Sequence, residues 1–221
     1  MINRFKDYGK HGQASLLFIL SISCFLLSIS RYFFLGSKMY LFLNWNLFLA
    51  FIPWAVTSFI IINPFLKQKR CIMVLLLLFW LLFFPNAPYI LTDLIHISRT
   101  HSSSAWFDLV MVLSFSWTGI MYGMMSLNDI EKLLLERMAK FSTYSIVTFL
   151  LFLSSFGVYI GRFMRWNSWD IVQNPTELIS DISLYILQPM NHKSSWGLMI
   201  LLGVFLNSIY WSLKVIKKET A

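Results

Sequence analysis

Asp93 and His96 stand three residues apart in the run Phe83-Phe84-Pro85-Asn86-Ala87-Pro88-Tyr89-Ile90-Leu91-Thr92-Asp93-Leu94-Ile95-His96, where a greasy stretch is broken by two prolines and continues with polar and ionisable side chains. A carboxylate one helical turn from an imidazole can orient it as a general base. With Asp108 as a second carboxylate, the same set can ligate a divalent metal, the cofactor these residues would take. Arg162 and Arg165 form another constellation, two guanidinium groups at spacing i and i+3, followed by Trp166, Asn167, Ser168, Trp169 and Asp170. Such a pair suits carboxylate or phosphate, which arginine grips bidentately. Asp93, His96 and Asp108 are therefore the candidates for catalysis or for a metal. Asn86, Tyr89, Arg162, Arg165, Trp166, Asn167 and Asp170 are the candidates for substrate binding.

The elements that must position these residues follow from composition. Of 221 residues, 57% are hydrophobic, 18% aromatic and only 13% charged, which is the composition of a membrane protein. Six stretches qualify as spans: 14–35, 41–62, 71–97 with the break inside it, 106–127, 141–161 and 195–213. The chain is thus expected to be an all-α integral membrane protein, a six-transmembrane-helix bundle forming a single integral membrane domain over 1–221. Its third span is broken at Pro85–Pro88, and short interfacial helices lie in the loops. The first span follows Arg4, Lys6 and Lys10, but its apolar run is too long for a signal peptide and no small-x-small cleavage pattern follows, so it is read as a permanent helix.

Lysine and arginine set the orientation. An inside N-terminus collects Arg4, Lys6, Lys10, Lys67, Lys69, Arg70, Lys132, Arg137, Lys140, Lys214, Lys217 and Lys218 on the cytoplasmic side, twelve of the 18 basic residues. Arg31, Lys38, Arg99, Arg162, Arg165 and Lys193 stay outside. Both termini are therefore predicted to be cytoplasmic. Basic ends facing anionic membrane lipids account for the net charge of +8 without nucleic acid.

The third span repays arithmetic. Fourteen residues from Cys71 to Phe84 reach about 21 Å, short of the roughly 30 Å of hydrocarbon. The break is thus expected within the outer half of the membrane, with Asn86 as an N-cap and a short helix over about 87–97. Asn86, Tyr89, Asp93 and His96, spaced by three, four and three, would share one face of it. Asn44 and Asn46, one turn into the second span, Asp108 at the start of the fourth, and Arg162 and Arg165 at the end of the fifth fall at the same outer level. Two connections read as surface helices: one capped by Asn128 with Glu131, and one begun by Asn174-Pro175 with Leu178, Ile179, Ile182 and Ile186 as its apolar stripe.

Ordinary roles compete with each of these. Asp93 and Asp108 can pair with Arg162, Arg165 or Arg99 and lock helices together, the common fate of charges near a membrane. Trp166 and Trp169 can be an interfacial belt. Cys24 and Cys71 lie at different depths and read as packing residues. No Gly-rich phosphate loop, H-E-x-x-H zinc pattern, Cys-x-x-Cys pair or recognisable hydrolase nucleophile is present.

Three blocks are long and rich in rare residue types: 85–94, Trp106-Phe107-Asp108-Leu109 with Ser116-Trp117-Thr118-Gly119, and Gly161-Arg162-Phe163-Met164-Arg165-Trp166-Asn167-Ser168-Trp169-Asp170. They resemble the bacterial membrane-protein family called domain of unknown function 1361, from the third span through the loop after the fifth. The resemblance implies a multi-pass protein of the bacterial cytoplasmic membrane and supplies no reaction. Two function classes follow from the residues: an outward-facing Asp/His/Arg site for an anionic lipid or lipid-linked substrate, or a non-catalytic structural or accessory subunit held together by the same charges. A transporter is a third reading, favoured by the broken helix and disfavoured by the lack of a matching one in the other half. Membrane lipids are the expected partners. Neither an enzymatic activity nor a protein partner is assigned.

Overall fold

The computed structural model describes residues 10–36, 38–99, 105–187 and 193–219, without the side chains of residues 35, 95–99, 172, 186, 193, 194 and 218. Among the described residues there are helices and turns and no strand. Six stretches are long and apolar enough to cross a membrane: His11–Phe34, Phe42–Ile62, Arg70–Leu94, Ala105–Leu135, Lys140–Phe163 and Ser195–Lys217. The all-α, multi-span reading of the sequence therefore holds. The chain divides into two compact units, Met1–Arg137 and Met138–Ala221.

The first unit contains α1 (His11–Leu35), α2 (Phe42–Ile62), α3 (Arg70–Phe83), α4 (Asn86–Tyr89), a 3-10 segment (Ile90–Arg99) and α5 (Ala105–Leu135). Its axis is α5, which packs against α1, α2, α4 and the 3-10 segment and buries Met111, Val112, Phe115 and Leu127 completely. By contrast α1 leaves Phe18, Ile19, Phe25, Phe33 and Phe34 exposed, an apolar surface that suits lipid and would be a liability in water. Gly36 ends α1 at φ 62°, its N–H bonded to the Tyr32 carbonyl at 3.0 Å, in the left-handed conformation for which glycine carries no Cβ penalty.

Proline chemistry shapes the chain after α3. Pro85 has no N–H to continue the helix, and one bond beside it shortens: Ala87 N–H reaches back three residues to Phe84 O at 3.2 Å, before Tyr89 N–H resumes the four-residue spacing to Pro85 O at 3.1 Å. The Phe83 carbonyl, passed over by this shift, accepts instead from Asn86 Nδ2 at 3.0 Å. Asn86 was expected as the N-cap, but Pro85 holds that position and Asn86 is the first residue of α4. From Ile90 the chain winds as a 3-10 helix rather than the expected α-helix. Residues three apart align in such a helix, so Tyr89, four before Asp93, does not share its row.

This turn packs on α5 through two glycines. A Cβ on Gly119 would stand 2.7 Å from the Ala87 carbonyl oxygen and 3.0 Å from Ile90 Cδ1, and one on Gly123 2.8 Å from Ala87 Cβ. The pair is a G-x-x-x-G spacing, the arrangement that lets backbones approach closely within a membrane. The surface helix expected after Asn128 is absent. α5 runs unbroken to Leu135, and Asp129, Ile130 and Leu133 are buried on it, because burying that face and pairing Asp129 outweigh a local capping signal.

The second unit holds α6 (Lys140–Phe163), α7 (Asp170–Gln173), α8 (Pro175–Leu187) and α9 (Lys193–Glu219). α6 and α9 run antiparallel: Tyr144 meets Trp211 with ring centroids 5.2 Å apart, Phe152 sits on Gly203, and Tyr159 clusters with Met199. The expected helix after Asn174 is present as α8. Its seat is Leu178 and Tyr185, whereas Ile179, counted in the apolar stripe, is 64% exposed. Burial, with Tyr159 beside it, pushes the Tyr185 phenol above its ordinary pKa, and its O–H donates to Met199 Sδ at 3.4 Å.

Candidate functional site

Asp108, in the first turn of α5, meets Arg31 near the end of α1. Arg31 Nε donates to Oδ1 at 2.6 Å and a terminal nitrogen donates to Oδ2 at 3.1 Å. The guanidinium also lies over the Tyr40 ring, 4.5 Å from its centroid. Both partners are buried, at 5% and 0% exposure. A carboxylate held by a guanidinium fork through both oxygens is a strong, planar, oriented pair. Next to it, Asn44 Nδ2 donates to Ser28 Oγ at 2.8 Å, one turn before Arg31. Asn46 Nδ2 donates to Asp93 Oδ2 at 3.2 Å. Asp93 is completely buried, and Ser116 Oγ ties the 3-10 segment that carries it to α5 through the Ile90 carbonyl at 3.1 Å.

The opposite end of the same helices repeats the pattern. Lys10 donates to Asp129 Oδ2, and Thr57 Oγ1 lies 3.0 Å from that oxygen. Lys10 precedes Arg31 by 21 positions and Asp108 precedes Asp129 by 21. Two antiparallel helices are therefore clamped at points about 31 Å apart, close to the roughly 30 Å of membrane hydrocarbon. Between the clamps the contacts are weaker polar ones: Ser21 Oγ to Tyr122 Oη at 2.8 Å and Cys24 Sγ to Thr118 Oγ1 at 3.3 Å.

In the second unit the loop after α6 carries the other candidates. Arg162 is half-buried in the last turn, and Arg165 is exposed. Arg165 has φ 62°, the left-handed position just past a helix end where glycine is the usual residue. Its neighbours hold the loop: Trp166 N–H bonds the Ile160 carbonyl at 3.3 Å, Trp166 Nε1 donates to Asp181 Oδ2 at 3.0 Å, and Asp170 Oδ2 accepts from Asn167 N–H at 2.6 Å. Trp166 thus reaches α8, and Asn167 and Asp170 bond each other within the loop, while the Arg165 side chain is exposed.

Of the residues singled out in the sequence, Asp93, His96, Asp108, Asn86 and Tyr89 belong to the first unit and Arg162, Arg165, Trp166, Asn167 and Asp170 to the second. The His96 side chain lies outside the described ones. Among the described residues no three His, Cys, Asp or Glu side chains come together as a metal-holding group. Sequence reasoning passed over Lys10, Arg31 and Asp129 as a pairing set. The signal was available in the matched 21-residue spacings of opposite charge within two apolar helices. It also passed over the G-x-x-x-G of 119–123. Neither the curated proteins nor the solved structures give a match to the chain. The family model described as protein of unknown function, DUF1361, matches residues 45–209, and the chain belongs to that family.

Proposed function

We propose that this chain is a multi-pass protein of the bacterial cytoplasmic membrane, with both termini in the cytoplasm, that binds an anionic, phosphate-bearing lipid headgroup through Arg162 and Arg165. Twelve basic residues against six support the orientation. The single observation carrying the binding role is Arg165: an exposed arginine in a left-handed backbone position, which costs a non-glycine residue about 1–2 kcal/mol. Strain of this kind clusters at functional positions. The proposal assigns binding and no reaction. Asp108, with both oxygens held by Arg31, supports a scaffold role in this reading rather than acid–base or metal chemistry.

Arg165→Gly separates the two roles of that residue. The variant is expected to melt in detergent at the same temperature as the parent or higher, since glycine relieves up to about 1–2 kcal/mol of backbone cost. It is expected to lose at least tenfold in affinity for phosphatidylglycerol in nanodiscs. Unchanged affinity, or no preference of the parent for phosphatidylglycerol over phosphatidylcholine, rejects the headgroup site.

A second reading, a non-catalytic structural or accessory subunit, is favoured by the two buried clamps, in which Asp108 and Asp129 of α5 hold α1.

A further inference from the structure

Arg165 occupies a left-handed backbone position, φ 62°, and a residue other than glycine stays there only where its surroundings hold it. Bonds within the loop do part of this: Trp166 N–H meets the Ile160 carbonyl at 3.3 Å, and Asp170 N–H meets the Asn167 carbonyl at 3.0 Å. A further tie leaves the loop. The Trp166 indole, next in sequence to Arg165, donates from Nε1 to Asp181 Oδ2 on α8 at 3.0 Å. The acceptor is a carboxylate, so the bond is charge-assisted.

The helix at the other end of that tie is itself anchored. Asp181 lies three residues after Leu178 and four before Tyr185, so the three share one side of α8. Leu178 and Tyr185 are buried. The Tyr185 ring stacks on Trp196 of α9 with centroids 5.4 Å apart, and packs against Tyr159 of α6 at 4.8 Å. Asp181 is exposed. By charge alone an exposed acid beside a cationic loop works against an anionic ligand, whereas its hydrogen bond holds the backbone that presents Arg165. The two effects have opposite signs. We infer that Asp181 is a positioning residue for the headgroup site, acting through Trp166 to fix the loop that presents Arg165. The role rests on the reading of Arg162 and Arg165 as that site.

Binding of phosphatidylglycerol in nanodiscs tests this on the parent, Asp181→Leu, Asp181→Asn, Trp166→Phe and the double variant Trp166→Phe with Asp181→Leu. Asp181→Leu is expected to bind about fivefold more weakly, from the loss of one hydrogen bond, although it removes a negative charge. Asp181→Asn keeps an acceptor for the indole and is expected to bind at least as well as the parent. Trp166→Phe removes the donor, so it should weaken binding as much as Asp181→Leu, and the double variant no more than either. Amide exchange over 164–169 is expected to quicken in Asp181→Leu and to stay at the parent's rate in Asp181→Asn. Melting temperatures establish which variants are folded, and Trp166→Phe decides where Asp181→Leu is not. Unchanged or tighter binding by folded Asp181→Leu, or equal weakening in Asp181→Asn, overturns the positioning role and leaves the headgroup site standing. A parent with no preference for phosphatidylglycerol over phosphatidylcholine rejects the headgroup site and this role with it.

Discussion

Arg31→Met is expected to lower the unfolding free energy of the first unit by about 3–5 kcal/mol, because it leaves the Asp108 carboxylate buried and uncompensated. Asp108 is fully buried and both its oxygens bond Arg31, so nothing else shown at that site can take over a guanidinium fork. The double variant Arg31→Met with Asp108→Leu is expected to recover most of the loss. An apolar pair of similar volume avoids the desolvation cost that the ion pair must first overcome. Thermal or denaturant unfolding in detergent measures all three proteins. Recovery in the double variant identifies the pair as a clamp between α1 and α5, whereas a double variant as unstable as Arg31→Met rejects that role. The outcome also bears on function, since a stable double variant that keeps headgroup binding removes Asp108 from the binding machinery.

Gly119→Val is the second large effect, and its cause is steric. The first atom a Cβ at this position meets is the Ala87 carbonyl oxygen at 2.7 Å, which is backbone and cannot rotate away. Overpacking of this kind costs about 1–3 kcal/mol and occasionally more, and relief requires α4 to move off α5. The same displacement would pull on the 3-10 segment that carries Asp93, bonded to α5 through Ser116 and Ile90. Loss of thermal stability together with faster amide exchange over 86–94 is therefore expected. Gly119→Ala should show a smaller effect in the same direction. A Gly119→Val protein that melts with the parent would mean that the α4–α5 contact is looser than these distances.

Much of the architecture was legible because a membrane constrains sequence strongly. Backbone polar groups in lipid must bond internally, so long apolar runs such as 42–62 or 140–163 can only be helices. Pro85 and Pro88, which lack donors, had to alter the bonding pattern near them whatever packed alongside. Legibility failed where two local options were close in energy. Asn128 with Glu131 offered a cap, yet α5 passes through it, since Asp129 gains Lys10 and Thr57 only if the helix continues. The stretch after Tyr89 carried an α-helical pattern but winds as a 3-10 helix, which changes which side chains align with Asp93.

The sequence by itself determined that this chain is helical and membrane-spanning, and which residues are rare enough in lipid to need partners. Each of those follows from composition, from the missing N–H of proline and from the cost of burying charge, none of which depends on neighbours far along the chain. Partner choice was decided only in the tertiary structure: Asp108 takes Arg31, 77 positions away, and Asp129 takes Lys10, 119 positions away. A single charge in an apolar helix states that a counter-charge is required. Which one arrives depends on how α1 lies against α5, and that is set by the sum of many weak packing contacts that no local pattern records.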